Sequence, residues 1–523
     1  MIQKHLRLAR IIISVLFLFF LSSIFLDFRE LVPETWYNSI LFLQFVPSLF
    51  KFVKVLSIVA LGFVVVLILT VLFGRVYCST ICPLGILQDF FIFLSRKFKI
   101  KRKHKPAKSY KILQYILLAI ALFILLFNSN FIINLLDPYS IFGRIASDIF
   151  KPVLVGINNL LSKGLEKVHI YILYPVTYHG YHWATIWISL VMLAGVMWLD
   201  FYRGRLYCNT ICPVGTFLGL VSKISIFKLK FDSATCTKCG KCSLVCKAGC
   251  IDFRNINLDF DRCIGCFNCI DACESNSIRY KFSFAWSAKD EKMEFEQSKR
   301  EFISKAMLYG IGLLGFSQSI KAIQKEKTNE NDKLIPEHKT YPVSPPGSKS
   351  LEHFKSSCTA CHLCISVCPT GVIQPSFLEY GFTGMLQPRM DYHTNYCNYE
   401  CTKCGEACPT GAIMSLEKET KKLTQIGRVH FELNNCVVYT DNTACGSCSE
   451  HCPTQAVRMV PYKDGLTIPE IHSDICIGCG ACEYACPVRP YRAIYVDGNP
   501  VHKTALKPHF KELKVENQEE FPF

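Results

Sequence analysis

Cys236, Cys239, Cys242 and Cys246 fall at the spacing C-x2-C-x2-C-x3-C, and Cys263, Cys266, Cys269 and Cys273 repeat it. Cys358, Cys361, Cys364 and Cys368 keep that spacing, as do Cys476, Cys479, Cys482 and Cys486, and in both groups proline follows the last cysteine. Two groups are stretched at the first gap: Cys397, Cys401, Cys404 and Cys408 to C-x3-C, and Cys436, Cys445, Cys448 and Cys452 to C-x8-C. A disulfide framework would scatter its cysteines at loop-closing distances, so grouping of this kind indicates metal ligation. Zinc takes four ligands per ion without a triplet-plus-one pattern. The spacing is that of [4Fe–4S] binding, in which a tight loop wraps three corners of a cube and a remote cysteine closes the fourth. By that rule Cys236, Cys239 and Cys242 take Cys273, while Cys263, Cys266 and Cys269 take Cys246. Two clusters upstream and four downstream make six. Lys247 and Glu274 stand where proline follows in the other groups. Cys250 fits no group and reads as a spare buried thiol, since free cysteine packs as a small hydrophobe.

A second pattern occurs twice. Residues 74–85 read GRVYCSTICPLG and residues 204–215 read GRLYCNTICPVG, each where an apolar run ends. Cys78, Cys82, Cys208 and Cys212 therefore belong to a duplicated C-x3-C-P motif. Facing each other, they would supply four thiolates, enough for a tetrahedral metal site or an additional cluster. A redox-active dithiol in each half and a purely structural element are the alternatives. Gly74 and Gly204 would let the backbone turn, Pro83 and Pro213 suit helix starts, and Arg75 and Arg205 would offset thiolate charge or meet lipid headgroups.

The elements that must position these cysteines differ along the chain. Of its 523 residues 50% are hydrophobic and 19% charged, and 29 are cysteine. Four segments approach the roughly 20 apolar residues a membrane helix needs: 9–28, 55–73, 112–135 and 184–201. The formal charge of +16 is concentrated beside them, with nine Lys/Arg and no acid in residues 96–111. That placement suits orientation in a membrane, with basic loops held inside, rather than nucleic-acid binding. Both C-x3-C-P copies then fall at the cytoplasmic membrane surface. The domains expected are a four-span membrane domain (1–229), a two-cluster domain (230–282), a signal or anchor segment (298–322), a linker (323–351), a four-cluster domain (352–500) and a tail (501–523).

On these motifs residues 1–282 resemble NapH-type membrane quinol dehydrogenase ferredoxins, and residues 298–500 resemble the NapG/MauM-type polyferredoxin. The whole resembles a fusion of the two. The fold class implied is a membrane α-helical bundle, with four spans and a weaker fifth at 306–320, plus two α+β bacterial-ferredoxin-like [4Fe–4S] domains. The resemblance implies a quinol dehydrogenase module that passes electrons from the quinone pool to a periplasmic oxidoreductase or cytochrome. It places the protein in the bacterial inner membrane, with the first ferredoxin domain cytoplasmic and the last periplasmic; the competing reading makes 306–320 a cytoplasmic amphipathic helix and leaves all six clusters inside. Carried over from four-motif relatives, it implies nested pairing: Cys358, Cys361 and Cys364 with Cys486; Cys476, Cys479 and Cys482 with Cys368; Cys397, Cys401 and Cys404 with Cys452; Cys436, Cys445 and Cys448 with Cys408. Adjacent pairing is the other option. The export signal departs from the family: Lys299-Arg300 stands in place of a twin arginine. Quinol itself leaves no firm signature. His169, His179 and His182, with Tyr171, Tyr174, Tyr178, Tyr181 and Trp183, would line a head-group pocket or serve as an interfacial aromatic belt. A role as assembly factor for a redox enzyme is the alternative function.

Overall fold

The computed structural model describes residues 2–33, 35–55, 60–98, 110–126, 129–177, 183–282 and 334–507. The segment expected to act as signal and fifth span, 298–322, lies outside the described residues.

Among the described residues two helices are long and apolar enough to cross a membrane: residues His5–Leu26 of α1 (Ile2–Leu26) and Trp183–Phe201 of α11 (Trp183–Arg203). The other two expected spans are shorter as helices. In the second, α4 is Gly62–Phe73, 12 residues; in the third, α7 is Lys111–Leu126, 16 residues, with α8 (Phe131–Leu136) following. Ahead of α4, helices α2 (Thr35–Leu41) and α3 (Phe45–Val55) meet at 110° and would count as one further span if taken together. Ser48 ties this bend to α4, its Oγ accepting from Phe63 N–H at 2.6 Å and donating to the Ala60 carbonyl at 3.3 Å.

After α4 the chain folds back into the bundle. The one-turn helix α5 (Tyr77–Thr80) leads to Cys82, and α6 (Pro83–Lys97) returns. The second half repeats the path: α11, then α12 (Leu206–Thr210), Cys212 and α13 (Pro213–Ser222). Between the halves, α9 (Pro138–Ile145) is buried along its whole length. It continues through a π-helical turn at Ala146–Phe150 into α10 (Lys151–Glu166). Such turns are rare and recur at functional sites. Here it presents Ser147 and Asp148 to His362, at 3.3 Å to its carbonyl and 3.1 Å to Nδ1.

The first cysteine domain hangs from α13 on strand β1 (Phe227–Phe231), which pairs antiparallel with β4 (Ile278–Phe282); β2 (Ile251–Asp252) and β3 (Asn257–Leu258) form a second pair. In the last domain β5 (Ile373–Pro375) pairs with β6 (Pro388–Met390), β7 (Thr424–Phe431) with β10 (Ile494–Thr504), and β8 (Val457–Pro461) with β9 (Thr467–Ile471). The described part of the expected linker is packed on this domain, with Gly498 N–H donating to the Tyr341 carbonyl at 3.0 Å.

The two cysteine domains contact opposite ends of α1. At its start Arg7 pairs with Asp271. At its end the Phe25 carbonyl accepts from Ser366 Oγ, and Glu30 just beyond pairs with Lys403 at 2.5 Å. The 25 residues of α1 span about 37 Å at ~1.5 Å each, against roughly 30 Å of bilayer hydrocarbon.

His502 on β10 gives the last domain a pH response. Its Nε2 lies 2.9 Å from Ser344 Oγ, and burial pulls its pKa down to about 4. The unfolded chain takes up this proton below about pH 6.5, so stability present at neutral pH is lost as pH falls towards 4, by at most ~3 kcal/mol. Denaturant midpoints of the full chain at pH 7.5 and 5.5 should show this decline, and His502→Gln should flatten it.

Candidate functional site

In the first domain two cavities account for the expected ligands. Cys236, Cys239, Cys242 and Cys273 line one; Cys246, Cys263, Cys266 and Cys269 line the other. The fourth cysteine of each motif therefore sits with the other motif's triplet, because the short helices at Lys241–Val245 and Asn268–Asp271 pack on each other. Cys250 lines the second cavity too, its sulfur 3.6 Å from that of Cys246. Its hydrogen bond, ahead of those from backbone amides, holds Cys246 below the ordinary thiol value. Burial pushes Cys266 up to about 11, so iron binding there must displace a proton.

The last domain repeats this adjacent exchange twice, and the nested arrangement is not what is found. Cys358, Cys361 and Cys364 lie within electrostatic reach of Cys408. Cys397, Cys401 and Cys404 surround Cys368. Cys476, Cys479 and Cys482 share a cavity with Cys452, and Cys436 and Cys448 lie with Cys445 and Cys486. The physical reason is again helix packing: Leu363–Ser366 rests on Lys403–Ala407, and Ser447–Glu450 on Ala481–Ala485. The sets adjoin in sequence of position. Cys397 N–H donates to the Cys479 carbonyl at 2.9 Å, joining the second set to the third. The first set, at Cys361, faces the bundle. Arg144 of α9 donates to the Ala360 carbonyl at 3.2 Å, and a Cβ on Gly143 would stand 2.3 Å from the Cys361 carbonyl oxygen.

The duplicated motif forms a pseudo-symmetric centre buried within the bundle. Gly74 and Gly204 turn the chain at φ +78° and +72°, and Pro83 and Pro213 begin α6 and α13, as expected. Cys78, Cys82, Cys208 and Cys212 are each at most 4% exposed and lie within electrostatic reach of one another. Of the two roles expected for the arginines, the structure agrees with the one beside the thiolates: Arg75 Nη2 lies 4.0 Å from Cys78 Sγ, and each arginine crosses to the other half. Arg75 Nη2 donates to the Cys208 carbonyl at 3.1 Å, and Arg205 Nη1 donates to the Cys78 carbonyl. Gly85 and Gly215 make room for this, since a Cβ at Gly215 would lie 2.8 Å from Arg75 Nη2 and one at Gly85 3.1 Å from Arg205 Nη1. Cys208 Sγ donates to Gln88 Oε1 at 2.9 Å. Asp89, which pairs with Arg10, Arg205 and Lys247, anchors the second arginine; sequence reasoning missed it, and its partners are scattered too widely in sequence to have pointed to it.

Of the aromatic and histidine residues considered for a quinol head group, Tyr171, Tyr174 and Trp183 are exposed, as is His169. Tyr178, His179, Tyr181 and His182 lie outside the described residues. One further group went unforeseen. Glu337, His393 and Glu483 bring ligand atoms within 4.8 Å of one another, but Lys339 already pairs with both carboxylates, at 3.0 and 2.5 Å.

Comparison with known proteins agrees with this chemistry. A 4Fe-4S binding domain family matches residues 57–101 and 185–232, the two stretches that carry the duplicated motif, and 4Fe-4S dicluster domain families match 357–414 and 443–489. The ferredoxin-type protein NapF of Escherichia coli (strain K12) is 27% identical over 154 residues, 29% of this chain and 85% of that protein. The methylamine utilization ferredoxin-type protein MauM of Methylophilus methylotrophus is 31% identical over 151 residues, 28% of this chain and 66% of that protein. The putative electron transport protein YccM of E. coli (strain K12) is 24% identical over 213 residues, 40% of this chain and 51% of that protein. No solved structure matches. The resemblance to multi-cluster ferredoxins stated from the sequence is thus met by ferredoxin-type relatives.

Proposed function

We propose that this iron–sulfur electron-transfer protein, with its several 4Fe-4S domains, oxidises quinol in the bacterial inner membrane and passes the electrons through six [4Fe–4S] clusters to a partner oxidoreductase. Each cluster would be held by one of the four-cysteine sets, two in the first domain and four in the last. The observation that carries the reading is the ordering of those sets: four sulfurs converge at each position, and neighbouring sets adjoin. Four thiolates on a compact loop-and-helix scaffold suit a cube, whose iron would supply the one-electron chemistry. The protein's contribution is to bury the ligands, fix their spacing and exclude water.

Charge and position support a cytoplasmic first domain and a periplasmic last one. The basic loop opening at Arg96 emerges beside the first domain, where Arg96 Nη2 donates to the Val245 carbonyl at 3.5 Å and Lys111 pairs with Asp259 at 3.4 Å. Basic loops stay on the cytoplasmic side. The last domain, at the other end of α1, then lies on the periplasmic side. The further span expected from the sequence at 306–320 would accord with this arrangement and lies outside the described residues.

The test is anaerobic reduction by a quinol analogue. Purified, cluster-loaded protein should lose its iron–sulfur visible absorption on mixing. Clusters that stay oxidised with every quinol tried, yet accept electrons from dithionite, would reject quinol oxidation and favour a role in assembling another redox enzyme.

A further inference from the structure

Between the cysteine set at Cys263 and the set at Cys361 the protein is packed without a break, and the four C-x3-C-P cysteines lie on that path. Arg75 donates at 2.9 Å to the carbonyl of Asp261, two residues before Cys263, and its other terminal nitrogen lies 3.1 Å from the Cys208 carbonyl and 4.0 Å from Cys78 Sγ. On the far side Tyr207, next to Cys208, donates to the Leu136 carbonyl at 2.7 Å, at the end of α8 and just ahead of α9. Arg144 closes the route, donating to the Asn134 carbonyl at 2.7 Å and to that of Ala360, beside Cys361, at 3.2 Å. Cysteines of both domains and of the duplicated motif belong to a single buried core.

We infer that Cys78, Cys82, Cys208 and Cys212 hold a redox-active, thiolate-bound iron centre that relays single electrons through the bundle, from the first cysteine domain to the last and so across the lipid phase. The inference rests on the electron-carrier reading above. The four thiols lie within electrostatic reach of one another but are not grouped closely enough to share a single ion, so they suit a larger iron–sulfur cluster rather than one tetrahedral ion, and zinc has no redox chemistry. The steps balance as one-electron exchanges. The cube at Cys263 is oxidised as the iron held by the four thiolates is reduced; that iron is then reoxidised as the cube at Cys361 is reduced. No bond is made or broken and no proton moves. A one-electron reductant serves the first domain and a one-electron oxidant the last.

The experiment uses the full chain in vesicles with the first domain outward, dithionite outside and ferricyanide trapped inside. Wild-type protein should bleach the trapped ferricyanide. Cys82→Ser/Cys212→Ser should slow this at least tenfold, while losing iron and a spectroscopic signal beyond those of the six cubes, whose own signals remain. Cys212→Ser alone serves should the double variant not fold. Undiminished flow in the serine variants, zinc at the four thiolates, or wild-type protein that never bleaches ferricyanide although its cubes reduce, would overturn the relay. Quinol takes no part, so failure of quinol oxidation leaves this result untouched, whereas absence of the cubes themselves would register as failure of the carrier reading.

Discussion

Cys408→Ser should remove the cluster proposed at Cys358, Cys361 and Cys364, more than 40 residues upstream, and spare the one proposed on its own neighbours Cys401 and Cys404. The sulfur of Cys408 is placed among the first triplet, not its own. Serine's hydroxyl is a hard ligand in place of a soft thiolate, so the cube loses its fourth anchor. The lost cluster is the one facing the bundle, so electrons from the membrane side should no longer reach the last domain. Cys486→Ser should instead remove the set at Cys436, Cys445 and Cys448, leaving entry intact. Iron content with electron paramagnetic resonance of each variant after poised reduction separates the two. A nested arrangement predicts the reverse, with Cys486→Ser damaging the set at Cys358.

Gly143→Val should separate the bundle from the last domain while leaving both loaded. A Cβ at this position would stand 2.3 Å from the Cys361 carbonyl oxygen and 2.9 Å from the Phe25 ring. Neither neighbour is a flexible side-chain end: the first is backbone of a ligand loop and the second is fully buried. Overpacking in such a place costs typically 1–3 kcal/mol, and the cheapest relief is to lift the Cys361 loop off α9. Dithionite added at the first domain should then reduce its clusters at the usual rate while those of the last domain lag by at least tenfold. Wild-type rates throughout would show that this contact does not carry the electrons.

The ligand groups were legible in the sequence because a cube is wrapped locally: three thiolates at C-x2-C-x2-C are fixed by the loop that carries them. Exchange of the fourth cysteine was legible in the first domain, where Cys246 and Cys273 have one alternative each. In the last domain spacing gives Cys368 and Cys408 no preference, and the choice is made by which short helices pack together. The two long apolar helices were also legible, since length and composition are local properties. The 110° bend between α2 and α3 and the inward return at α5 and α12 were not, because they depend on partners distant in sequence, Ser48 with Ala60 and Phe63, and Tyr207 with Leu136. The repeat announced a symmetric pair. What hydropathy could not show is that both arginines turn inward, because a guanidinium in a bundle is affordable only once carbonyls and carboxylates are arranged around it.

Arg75 completes the hairpin that contains Cys208, and Arg205 completes the one that contains Cys78. Neither copy is self-sufficient: Arg75 takes its acceptors from the second copy and the first cysteine domain, and Arg205 takes its own from the first half. The smallest unit able to hold this architecture is thus the couple.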